Sequence, residues 1–175
     1  MAAEVQEKWL KCVALTTTIL AVCASFASLK GSGFSTQVQL MTTLESDRWS
    51  YYEAKSIKAH LGEMEKDILT VDSFSAAVPA VKSQIDAKIK ALDKNITRYN
   101  KEKDEVKAEV DELTTKQAIL KRHGGNFGLA VMFLQISIML SAIGSLLKQR
   151  AAWLVGLAIG FFGILYFING FFLFF

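Results

Sequence analysis

Three stretches without a formal charge constrain this chain more than any other feature. No Asp, Glu, Lys or Arg occurs in Cys12–Leu29, Gly124–Leu147 or Ala151–Phe175, so the 20 Lys+Arg and 17 Asp+Glu of the 175 residues all lie elsewhere. A bilayer core about 30 Å thick is crossed by about 20 apolar residues of helix. All three stretches meet that length, Cys12–Leu29 only just, and each is expected to span a membrane. Small residues from Ala21 to Ser28 mimic a signal-peptide cleavage region, and the run from Leu20 to Cys23 loosely resembles a lipoprotein box. The two lysines and two glutamates before it make a weak basic region, so a retained helix is the reading adopted, with Trp9 at its interfacial edge.

Between the first two stretches lies a polar insert, and its strongest pattern is a heptad repeat. Ile85, Leu92, Tyr99, Val106, Leu113 and Leu120 alternate with Ile89, Ile96, Lys103, Val110 and Gln117 at 4-3 spacing, the signature of a coiled-coil seam. Polar residues at Lys103 and Gln117 lower seam stability but set register. The partner across that seam is the hairpin itself, another chain or a larger bundle. Ile57, Leu61, Met64, Ile68 and Val71 repeat the same spacing upstream.

Turn signals divide the insert. Gly31, Ser32 and Gly33 predict a helix break, with Ser35 or Thr36 capping a helix over about 36–71. Asp72 to Ser75 predicts a second interruption, and Ser75 caps a helix over about 76–122 with Pro79 in its first turn. Gly124 and Gly125 predict its stop. With a tip near Ser75, an antiparallel hairpin sets Trp49 and Tyr52 beside Tyr99. That aromatic cluster reads first as packing against the seam, and second as a site for a lipid or protein.

The spans carry small residues at helix-packing intervals. Ser137, Ser141 and Ser145 recur every four residues, Ala152, Gly156 and Gly160 do the same, and Gly163 and Gly170 are read as a second face. Two faces imply two neighbours, one of them another subunit.

Charge and composition exclude several function classes. The insert from Gly31 to His123 holds 15 Lys+Arg and 15 Asp+Glu, so the pI near 8.8 comes from membrane-flanking lysines and an arginine and not from a phosphate-tracking surface. Nucleic acid is not an expected partner. His60 and His123 lie far apart, and both cysteines, Cys12 and Cys23, fall within the first span, which leaves neither a metal motif nor a disulfide framework. No P-loop, GxGxxG, GxSxG or HExxH occurs. None of the polar span residues, Thr16, Thr17, Thr18, Gln135 and Asn169 among them, is ionisable, which argues against a coupled carrier. Cations near the N-terminus and at Lys148 and Arg150 put those segments in the cytoplasm and the insert outside.

Several of these residues carry a resemblance. The opening of the first span (Ala14, Leu15, Thr16, Thr17), the block from Trp49 to Lys58, and Gly156 to Gly163 after a basic turn resemble the bacterial membrane-protein family catalogued as domain of unknown function 4337. Glu53 departs from the Gln expected in that block. The resemblance implies a three-span bacterial envelope protein with a helical insert, and it brings no catalytic residues.

The expected fold is therefore all-α: three transmembrane helices with a long antiparallel coiled-coil hairpin inserted between the first and second. Residues 1–30 form the N-terminal segment and first span, 31–123 the hairpin, and 124–175 the remaining spans. The expected function is non-enzymatic and needs no cofactor or metal: a self-associating scaffold in the bacterial inner membrane, with lipid, its own copies and a protein partner of the hairpin as candidate contacts. An oligomeric channel is the first alternative, and a lipid- or partner-binding module the second.

Overall fold

The computed structural model describes residues 2–174, with side chains from Trp9 onward. The charges at Glu4, Glu7 and Lys8 and the termini at Met1 and Phe175, used above for the charge balance and the third span, lie outside the described residues and side chains. Three α-helices account for nearly all of the rest, and no strand occurs among the described residues. Helix α1 is Ala2–Ser75, α2 is Pro79–Leu146 and α3 is Arg150–Phe172. Each contains a segment long and apolar enough to cross a membrane. Residues 1–40 and 117–175 cluster into one compact unit and 41–116 into another, so the division falls ten residues inside the expected one at the first boundary and seven at the second.

The expected break at Gly31–Gly33 and the expected stop at Gly124–Gly125 are not there. Both glycine groups are helical, and none of the glycines has positive φ. Each glycine weakens a helix by about 1 kcal/mol relative to alanine, which two such pairs within helices of 74 and 68 residues do not turn into a break. Packing gives two of these glycines a use: a Cβ on Gly31 would lie 3.2 Å from Phe127 Cβ, and one on Gly124 3.5 Å from Phe34 Cβ, whereas Gly33 and Gly125 face open space. Thr36, expected as an N-cap, instead donates its hydroxyl to the Ser32 carbonyl at 3.1 Å, one turn back. Ser75 closes α1 and does not cap α2, while Pro79 opens α2, where its missing N–H is one of the unpaired donors of any helix start.

In the first unit the tightest packing lies between α2 and α3. Gly156, Gly160, Gly163 and Gly170 are all buried, and they form one stripe at 4-3 spacing instead of two faces. That stripe lies against α2: a Cβ at Gly160 would come 2.6 Å from Ser137 Oγ, at Gly163 2.9 Å from Leu134 Cγ, and at Gly170 3.0 Å from the Phe127 ring. The expectation of a second glycine face left over for another subunit is thus overturned, because 3.6 residues per turn brings Gly163 and Gly170 round to the side of Gly156. Ser137 and Ser141 are fully buried beneath it, and Ser145 and Ala152 are half-buried at the turn end. Helix α1 completes the unit through Leu20 and Ala24 against Leu134, and Ala27 against Phe127 and Ala130.

The α2–α3 turn is short and strained. Gln149 N–H donates to the Gly144 carbonyl at 2.9 Å and Lys148 N–H to that of Ser145 at 3.3 Å. This paired closure is the one that usually carries glycine in the left-handed position, yet here Lys148 holds it with φ of 53°. Trp9 lies beside this turn, 6.5 Å from Trp153 edge-on and under the Arg150 guanidinium at 5.8 Å.

A valine at Gly163 would meet Leu134 on both its side chain and its backbone nitrogen, at 3.1 Å. Gly163→Val is expected to destabilise the protein by about 1–3 kcal/mol, read as a lowered denaturation midpoint in detergent by circular dichroism. Ser137→Ala removes a buried hydroxyl that has no hydrogen-bond partner, so the same measurement should show equal or raised stability, by about 1 kcal/mol at most.

Candidate interaction surfaces

In the second unit, pairs of side chains join α1 to α2 in opposite residue order. Thr114 Oγ1 donates to Glu45 Oε1 at 3.5 Å, Arg48 pairs with Glu109 at 3.2 Å, Lys55 with Glu102 at 2.5 Å, and Lys66 with Asp93 at 2.6 Å. These pairs centre on about residue 79, four residues beyond the expected tip. The reason is local: α1 continues through Ser75 and the reversal uses Ala76–Val78.

The register of every contact moves with it. Tyr52 meets Lys103, whose ammonium lies 5.3 Å from its ring centroid, and not Tyr99. Trp49 packs edge-on against Tyr52 at 5.4 Å and is otherwise exposed. Tyr99 instead faces Lys55, as does Tyr51, at 5.3 and 4.8 Å. Of the seam residues in this unit, Val106 and Val110 are buried, while Ile85, Ile89, Leu92, Ile96, Tyr99, Lys103 and Leu113 are half-buried. Gln117, buried, and Leu120, half-buried, belong to the first unit.

The α1 face that meets this seam is small and polar. It comprises Tyr52, Lys55, Ala59, Gly62, Lys66 and Leu69, with Ala59 only 3% exposed and Gly62 so near α2 that a Cβ would sit 3.1 Å from Ile96 Cγ1. Ala59 and Gly62 let the helix axes approach, and the long lysines reach past the seam to acidic residues beside it. The larger apolar residues Ile57, Leu61, Met64, Ile68 and Val71 lie on the opposite side of α1, each about 60% exposed. This assignment of faces was not visible beforehand, because hydrophobic periodicity alone points to the larger stripe. The signal for the other face was the Ala59–Gly62 pair of small residues flanked by Lys55 and Lys66.

Lys55 is the most engaged charge of the unit. Its ammonium is paired with Glu102 and held over two tyrosine rings, an arrangement that favours the cation. The hydrogen bond that Lys55 donates to Glu102, then that to Tyr51, raises the Lys55 pKa above 10.5, so it stays protonated and is no nucleophile or base at neutral pH. The hydrogen bond from Lys55 lowers that of Glu102 below 4.5. Elsewhere, His60 meets Glu63 at 3.1 Å on the surface, and His123 Nδ1–H donates to the Gly170 carbonyl at 2.7 Å while stacking on Phe34. Among the described residues, no three His, Cys, Asp or Glu side chains gather as a metal site.

The family model described as domain of unknown function DUF4337 matches residues 9–173. No curated protein and no solved structure matches the chain.

Because the Glu102 pKa is depressed, its contribution to stability is present above the unfolded value near 4.5 and is lost as pH falls through the folded one; that of Lys55 is lost only as pH rises through its own, above 10.5. Glu102→Gln should therefore lower the melting temperature relative to the parent between about pH 5 and 10. The two melting curves should converge as the pH is taken down through the Glu102 titration.

Proposed function

The chain belongs to the DUF4337 family, and from that premise we propose that it is a non-enzymatic, self-associating scaffold of a bacterial inner membrane. In this reading the spans anchor a coiled-coil hairpin, and the hairpin recruits further copies of the chain. One observation carries the proposal: the second unit leaves an apolar helical stripe, Ile57, Leu61, Met64, Ile68 and Val71, exposed outside the chain's own contacts. The spans add support, since they contain no Asp, Glu, Lys, Arg or His to conduct or bind a charged substrate. Cations at Lys11 and in the Lys148–Arg150 turn favour a cytoplasmic N-terminus and an external hairpin.

The pore reading draws less support. Its serine motif does not line open space within the chain, because Ser137 and Ser141 are fully buried under Gly156 and Gly160.

Light scattering on the full chain in mild detergent should give a protein mass that is a multiple of 19.4 kDa. A mass of 19.4 kDa at every protein concentration would refute the scaffold.

A further inference from the structure

We propose that Ile57, Leu61, Met64, Ile68 and Val71 form the face on which α1 of a second copy of this chain docks, parallel and in register. The proposal rests on the scaffold reading and names its surface. These side chains are 59%, 59%, 62%, 61% and 65% exposed in the single chain, and they are uninterrupted at 4-3 spacing. That spacing is what a helix needs to keep one seam against a second helix over several turns. No α2 residue competes for the face, since α2 contacts α1 from the side of Ala59 and Gly62.

Exposure, charge and anchoring agree on the occupant. The stripe is five apolar side chains, each about 60% exposed, in an unbroken row, the composition of an interface core. Copies held in one bilayer are already concentrated, and a small interface then suffices. Copies inserted the same way also carry α1 in the same sense, which makes the parallel pairing the accessible one. Across a parallel seam Glu53 faces Lys58 of the second copy, a pair of opposite sign, and His60 faces Glu65. Only Asp67 and Asp72 are alike, at the end nearest the turn. The same carboxylates disfavour an anionic lipid surface as the occupant, because such surfaces attract basic flanks.

The test uses the full chain in membranes with Cys12→Ala and Cys23→Ala. Single cysteines introduced as Leu61→Cys, Met64→Cys or Ile68→Cys should each give an oxidised dimer at least five-fold more abundant than Glu63→Cys or Lys107→Cys on other faces. Equal cross-linking at all five positions, or none on the stripe, overturns the proposal. As a second measurement, Leu61→Glu with Met64→Glu should reduce the detergent-solubilised mass to 19.4 kDa with unchanged helicity, because both side chains are already exposed in the single chain. Retention of the parental mass overturns this surface but leaves the scaffold standing, whereas a parent that is itself monomeric refutes both.

Discussion

The first unit holds the three charge-free segments, and a backbone placed in hydrocarbon has no water to satisfy its N–H and C=O groups. Glycine pairs expected to end helices stay helical, at Gly31 and Gly33 and at Gly124 and Gly125. Once interruption is excluded, a missing side chain serves proximity instead of flexibility. The stripe Gly156, Gly160, Gly163 and Gly170 brings α3 against Ser137, Leu134 and Phe127, and dispersion contacts replace the hydrophobic effect that lipid cannot supply between helices. Phe127 shows the result: fully buried, it is ringed by Phe34, Phe167 and Phe171 with centroids at 5.8, 6.0 and 4.9 Å.

The second unit solves the opposite problem. Its two helix segments are in a polar sequence, and two segments alone bury too little surface to exclude water everywhere. Small residues on α1 face the seam of α2, and lysines at Lys55 and Lys66 bridge to Glu102 and Asp93 at its margin. Surface ion pairs of this kind contribute little individually, but their spacing favours one register over its neighbours. The arrangement uses up the small face of α1 and leaves the large one bare. Ile57, Leu61, Met64, Ile68 and Val71 stay exposed as a result.

Chemistry follows from the same inventory. Lys55 is held as a cation between two tyrosines and Glu102, His60 and His123 are occupied by Glu63 and by the Gly170 carbonyl, and the buried serines face glycine. Of these contacts, Lys55–Glu102 and His123–Gly170 join different helices, while His60–Glu63 lies within α1.

The α-helical class and three segments apolar enough to cross a membrane were legible in the sequence, because charge exclusion over 18 or more residues is a local pattern that depends on no tertiary contact. The register of α1 on α2 was not, since a reversal through Ala76–Val78 instead of at Ser75 moves every cross-helix pair by several residues without changing either helix's own pattern. Nor was the continuity of α1 and α2 through their glycines, which depends on what surrounds the backbone and not on the residue's own propensity. Which face of α1 meets α2 was decided only by tertiary packing: close approach at Ala59 and Gly62, together with ion pairs on either side, outweighs burial of the larger apolar stripe.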